Sequence, residues 1–286
     1  MNLSSLYEYE FSSVSVIIPC FRCVDTVERA LCSALTQTIP PKEILLVDDF
    51  SDDEGITLGF LRHLKKKYKG TVCIQVITLD RNFGPGGARN AGWEIASQPY
   101  IALLDSDDAW HCDKLSIQYL FMKQNIEIAI TGHKYIISTE VNKLHNDKIN
   151  KEFYFTKIYP ISLLFKSRFP TSSVMIRADL PLRFPLDQRA AEDTFLWQKA
   201  SLAGFTIIRI NVPLVYYFKS LYGAGGLSKQ LVKMELGELG NFIALFNAGD
   251  INFIIFLSAS IFSLLKFLRR CFLTYVKNVI NYIASR

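Results

Sequence analysis

Apolar residues fall along this chain in short runs separated by amphipathic stretches. Val14-Ser-Val-Ile-Ile-Pro19 is β-branched and closed by proline, the composition of a buried strand. Glu43–Val47, Val72–Leu79 and Tyr100–Leu104 repeat that character. Helices are expected between them: one capped by Asp25 and running to about Thr38, one capped by Asp52 or Asp53 and running to about Tyr68. Pro40-Pro41 closes the first of these, and Pro85 opens a third helix that reaches Ser97. Strand and helix alternating through short connections predict a mainly parallel sheet with helices on both faces. Beyond Asp113 the rhythm loosens. A helix is expected over 114–125, strands within 128–137, 173–176 and 205–210, and a helix over 192–203. The polar stretch 142–157 reads as a loop.

The end of the chain has a different pattern. Ile251–Leu265 is almost continuously apolar, yet shorter than the about 20 residues a spanning helix needs. Leu264, Leu268, Phe272, Tyr275 and Val279 then recur at helical spacing, with Lys266, Arg270 and Lys277 on another face. This predicts a helix lying in a membrane interface. The alternative is a helix packed on the protein's own core.

Composition narrows the class. Of 286 residues, 50% are hydrophobic and 21% charged, which is globular. The net charge of +5 is modest, but from Lys266 onward there is no acid. That asymmetry favours an anionic membrane surface over nucleic acid, for which no binding module is visible. Met1–Ser13 has two glutamates and no basic, apolar leader, so no secretory signal is expected. The six cysteines are accordingly read as reduced thiols. Cys20-Phe-Arg-Cys23 lacks a second pair at zinc-site spacing, and the four histidines form no metal pattern.

Chemistry concentrates at strand ends. Asp105-Ser106-Asp107-Asp108 follows the strand at 100–104, at the sheet edge where open α/β folds bind ligands. Three carboxylates crowded there repel one another unless a hard cation such as Mg²⁺ or Mn²⁺ joins them. The competing reading is an acidic turn before the next helix. Asp48-Asp49-Phe-Ser-Asp-Asp53 is no calcium loop of the EF-hand type: Gly55 comes one residue late and Phe60 stands where the glutamate belongs. A carboxylate here can instead accept the N–H of a nucleotide base. Gly84–Gly92 has neither dinucleotide spacing nor a P-loop lysine. It offers backbone N–H groups at a helix start, and Arg89, both suited to a diphosphate. Glu192-Asp193 opens a predicted helix, as capping acids or as a general base.

Taken in order, Val14–Pro19, Val47–Asp53, Asn82–Gly92, Leu104–Trp110 and Glu192-Asp193 resemble family 2 glycosyltransferases with the GT-A fold, over about residues 13–220. The resemblance implies an α/β GT-A fold, a mainly parallel mixed sheet flanked by helices, with a C-terminal helical membrane-associating appendage. It implies a lead over 1–12, a catalytic domain over 13–228 divided near 110, and a helical region over 229–286. It places Pro19 and Phe21 in the nucleotide pocket, Asp49 on the uracil edge, Asp105 and Ser106 on the nucleotide, and Asp107 on the metal, Mn²⁺ or Mg²⁺. Arg81 and Arg89 are implied near the nucleotide, with Asp193, beside Glu192, as base. Tyr216–Ser228 resembles the loop that closes over the donor, bringing Lys219 and Ser228. The implied reaction is inverting transfer of a hexose, glucose in β-1,3 linkage, from a UDP-sugar to a GlcNAc-diphosphoundecaprenol-type acceptor. It belongs to O-antigen or surface-polysaccharide assembly, peripheral on the cytoplasmic face of the inner membrane. UDP-galactose or UDP-GlcNAc is the alternative donor. A catalytically silent sugar-nucleotide-binding scaffold is the alternative of another class. A nucleotidyltransferase would want glycine in the loop 20–25, which has none.

Overall fold

Four strands carry the first half of the molecule: β1 (Ser12–Cys20), β2 (Pro41–Asp48), β3 (Cys73–Thr78) and β4 (Tyr100–Leu103). The computed structural model describes residues 10–70, 72–138, 154–186, 188–218 and 231–284, with side chains as far as 276. The four strands are parallel in the order β3-β2-β1-β4. Alternate residues enter opposite cores, as the pleat requires. Val16, Ile18, Ile44 and Leu46 pack under α1 (Val27–Leu35) and α2 (Ile56–Lys67). Ile17, Leu45, Val47 and Leu103 pack under α3 (Gly84–Ile95). Helices therefore cover both faces, as the alternation predicts. Gly92 makes this close approach feasible: a Cβ there would lie 2.7 Å from Ile17 Cγ2.

The second half adds β5 (Ala109–Trp110), α4 (Lys114–Gln124), β6 (Ile128–Ile137), β7 (Phe155–Lys157) and α5 (Pro160–Phe165). A single 3-10 turn, Thr171–Ser173, precedes β8 (Met175–Arg177), α6 (Glu192–Leu202) and β9 (Thr206–Tyr217). β8 lies antiparallel between β4 and β6, and β9 runs parallel to β6. The described residues thus form a nine-stranded mixed sheet whose main path is β3-β2-β1-β4-β8-β6-β9-β5, with β7 on β9. The strand direction first reverses beside β4, the strand that leads into Asp105.

Several expectations need correction. The N-cap of α1 is Thr26 in place of Asp25, and it makes no side-chain capping bond. Asp53 does serve α2, but one turn out: its Oδ2 accepts the Thr57 N–H at 3.1 Å, while Gly55 occupies the cap at φ 83°. Pro41 starts β2 instead of ending the preceding segment. Residues 155–157, expected in a loop, pair with β9.

The C-terminal helices α7 (Leu231–Asn247) and α8 (Phe253–Ala284) fold back on each other. Phe242, Leu245, Ile251 and Ala259 pack with Leu164 of α5. α7 also presses on the segment before α6. Asn241 Nδ2 donates to the Ala191 carbonyl at 3.0 Å, and a Cβ at Gly237 would lie 2.5 Å from the Ala190 carbonyl oxygen. The hairpin therefore packs directly on α5 and on the segment that leads into α6. The basic face of α8 also turns inward. Lys266 Nζ donates to Glu238 Oε1 at 2.6 Å, and Arg270 Nη2 to Glu235 Oε2 at 2.8 Å. Burial of Glu235 demands that partner. The apolar row stands out as its spacing predicts: Leu264, Leu268, Phe272 and Tyr275 are 44%, 62%, 65% and 69% exposed. The side chains of Lys277 and Val279 lie outside the described residues. Among those residues no helix is long and apolar enough to cross a membrane.

Candidate active site

The turn after β4 brings three acids together. Ligand oxygens of Asp105, Asp107 and Asp108 lie within 4.8 Å of one another. The 3-10 turn builds this arrangement: Ser172 Oγ accepts the Asp105 N–H at 3.2 Å and donates to the Asp108 carboxylate. Arg29 Nη2 donates to the Asp107 carbonyl at 2.6 Å. Asp108 is fully buried, whereas Asp105, Ser106 and Asp107 line a cleft. The donor set is all hard oxygen, and its crowding fits a divalent cation approached from the cleft through Asp107.

Arg89 sits between the acids. It is 4% exposed, and its guanidinium bridges Asp105 Oδ1 at 2.7 Å and Glu192 Oε1 at 3.0 Å. Burial works against its charge, yet the two carboxylates outweigh it and raise the pKa above the ordinary value. Arg89 lines the cleft, and within it ties the strand-end acids to the start of α6. A glycine at 86 admits that contact, since a Cβ there would sit 3.0 Å from Glu192 Cγ. Glu192 is itself buried. Burial first, then neighbouring Asp193, pushes its carboxyl up, and Arg89 opposes the shift. Its carboxylate is held by Arg89 at the edge of the cleft.

Asp193 faces open space. Its Oδ1 accepts the Thr194 N–H at 2.6 Å and its Oδ2 accepts the Thr171 hydroxyl. Thr171 and Ser172 escaped sequence reasoning. The only local signal is a run of hydroxyl residues, Thr171-Ser-Ser173, ahead of a strand.

The cleft has a volume of about 750 Å³ and is lined by Pro19, Phe21, Asp49, Asp105, Ser106, Asp107 and Asp193, among others. Phe21 is 45% exposed, available for stacking on a planar ring. Asp49 is buried, with its Oδ1 accepting the Phe83 N–H at 2.8 Å. Burial nevertheless pushes its carboxyl up to about 6. Arg81 lies over the Phe83 ring, 4.5 Å from the centroid, and is not part of the cleft wall. Arg189 takes that place, its Nη2 donating to the Asn82 carbonyl at 2.9 Å. Lys219 and Ser228 fall outside the described residues.

A second cavity, of about 710 Å³, meets the first at Thr171, Ala191, Asp193, Tyr217 and Met234. Asp193 therefore stands on the boundary of two spaces. Tyr217 shares that boundary. Burial first, then the surrounding aspartates, pushes its phenol well up, so it stays a hydrogen-bond donor.

Residues 15–184 match the family model "Glycosyl transferase family 2". The chain belongs to this family. Among its relatives, the UDP-Glc:alpha-D-GlcNAc-diphosphoundecaprenol beta-1,3-glucosyltransferase WfaP of Escherichia coli is 38% identical over 112 residues. That alignment takes in 38% of this chain and 41% of WfaP. The poly(ribitol-phosphate) beta-glucosyltransferase of Bacillus spizizenii is 28% identical over 254 residues, 83% of this chain and 37% of that protein. The family 2 chain thus spans well under half the length of either relative. Among solved structures, S. aureus TarS 1–349 in complex with UDP-GlcNAc superposes with a TM-score of 0.64 at 20% identity, covering 91% of this chain and 72% of that one. The mannosyltransferase PcManGT from Pyrobaculum calidifontis, in complex with GDP-Man and Mn²⁺, gives 0.60 at 16% identity, over 83% of this chain and 65% of its own. Both likenesses bear on the fold, which is GT-A-like.

Proposed function

We propose that this chain moves a hexosyl group from a UDP-sugar to a hydroxyl of a lipid-linked saccharide, with inversion at the anomeric carbon. The observation that carries this reading is the place of Asp193, between an acid-edged cleft and a second cavity. The nucleotide lies in the cleft, its base against Phe21 and Asp49 and its ribose near Asp105. Asp107 would hold the divalent cation, which when bound offsets the charge developing on the diphosphate. Asp193 takes the proton of the acceptor hydroxyl as that oxygen bonds to the anomeric carbon. The bond to the diphosphate oxygen breaks on the opposite face, and its electron pair leaves with UDP. Thr171 and Thr194 keep the Asp193 carboxylate aimed.

Glucose in β-1,3 linkage to a GlcNAc-diphosphoundecaprenol-type acceptor is the donor–acceptor pair we favour. WfaP, similar over part of the chain, bears that activity in its name. UDP-galactose and UDP-GlcNAc are its competitors. The exposed apolar row of α8 suits a peripheral seat on the cytoplasmic face of the inner membrane, during O-antigen or related polysaccharide assembly. A silent scaffold would have no use for an Asp193 oriented on both oxygens. The test is a panel of UDP-sugars offered with synthetic GlcNAc-diphosphate-lipid, with and without Mn²⁺, the product linkage being read by NMR. Glucosyl transfer in β-1,3 linkage is expected, and absence of transfer from every UDP-sugar would overturn the reading.

A further inference from the structure

The second cavity has an unusual charge balance. Six cations line it, Lys134, Lys166, Arg168, Arg209, Lys266 and Arg270, against two acids, Asp193 and Glu238. Lys266 and Arg270 are already matched by Glu238 and Glu235. The other four make no ion pair among the described residues. Arg168 Nε is buried without a hydrogen-bond partner. Arg209 commits its Nε to Asn211 Oδ1 at 3.1 Å, which leaves its terminal nitrogens for another acceptor. Cations gathered in a concave, partly desolvated space raise the local concentration of anions and bind them with charge-assisted hydrogen bonds.

Resting on the transferase reading above, we infer that this cavity holds a phosphate-reading subsite for the acceptor. Lys166, Arg168 and Arg209 form it, and its ligand class is an alkyl or prenyl diphosphate. The subsite is separate from the donor's diphosphate region, because the two cavities share only their boundary at Asp193. An acceptor anchored here by phosphate presents its sugar hydroxyls toward that carboxylate. The cavity wall also includes Met234 of α7 and Lys266 of α8. On the same two helices Leu236 and Leu268 are 65% and 62% exposed. These leucines lie two residues from the lining positions and so on the outward faces of the helices, where a hydrocarbon tail would have to pass the cavity rim to reach them.

The test uses the full chain with its donor cleft saturated by UDP and Mn²⁺, so that a second anion cannot enter there. Calorimetry then compares a short-chain alkyl diphosphate with the alcohol of the same chain. The diphosphate is expected to bind at least about tenfold more tightly than the alcohol. Arg168→Glu and Lys166→Glu should each weaken it by about tenfold or more while leaving UDP affinity unchanged. Lys166 is exposed, so its reversal leaves the fold intact. Equal binding of alcohol and diphosphate, or unaltered diphosphate affinity in both variants, overturns the inference. Failure to bind UDP at all strikes the transferase reading, whereas UDP binding without diphosphate binding strikes this subsite alone.

Discussion

Three donors aim the Asp193 carboxylate: the Thr171 hydroxyl and the N–H and hydroxyl of Thr194. Asp193→Asn keeps the shape and the two Thr194 contacts on its oxygen, puts an NH2 donor where Thr171 donated, and cannot take a proton. Transfer should fall by about 10²–10⁴-fold with UDP affinity intact, and near-normal turnover in a radiolabel assay would remove the base assignment. Thr171→Val should lower kcat with little change in donor KM, because it disturbs aim and not binding. Asp49 carries a pH signature. Its folded pKa, about 6, stands above the unfolded value, so the fold favours the neutral acid. Its ionisation therefore costs stability above about pH 6, and that cost disappears as pH falls toward the unfolded pKa of about 4. If the carboxylate receives the base N–H, UDP affinity should be level above pH 7 and weaken below about pH 6. A flat profile from pH 5 to 8 by calorimetry would detach Asp49 from the nucleotide. At this scale the acids were legible, because polar residues ending an apolar run must leave the core. The partner of Arg89 was not: beside glycines a cation reads the same whether it meets a phosphate or Glu192, which arrives from 103 residues away.

Elements with long apolar runs were readable to within a few residues, β1 to β4 above all. β5, β7 and α5 were not, being two, three and six residues long. Such short segments bury too little to announce themselves, and the two strands exist because β9 offers an edge to each. The docking of α7 was equally hidden, since a glycine in a helical stretch can mean weakness or close contact. The structure distinguishes Gly237 from Gly240. A Cβ at 237 meets the Ala190 carbonyl oxygen at 2.5 Å, whereas at 240 it meets nothing within 4 Å. Gly237→Val should therefore lift α7 from residues 188–191, cost about 1–3 kcal/mol in chemical denaturation and reduce kcat. Gly240→Ala should be stabilising by about 0.5–1 kcal/mol with activity unchanged. Equal behaviour of the two variants would mean that α7 does not brace the catalytic segment.

For the molecule as a whole, the inward turn of Lys266 and Arg270 changes how a membrane would be held. Their charges are spent on Glu238 and Glu235, so binding should come from the apolar row and not from a basic face. Replacing Leu268 and Phe272 together by aspartate should release the protein from anionic vesicles in a flotation assay, while high salt should leave the wild type bound. Release of the wild type by salt alone would restore the electrostatic account. The order of β1 to β4 and their helices, the acids at strand ends and the apolar row of α8 followed from the sequence, because burial imposes a period on neighbouring residues. Which carboxylates Arg89 and Arg270 face, and which side of the C-terminal helix turns inward, only the tertiary structure decided. A charge in a low-dielectric interior needs an opposite charge within a few ångströms. Its partner can lie anywhere along the chain that folding brings close.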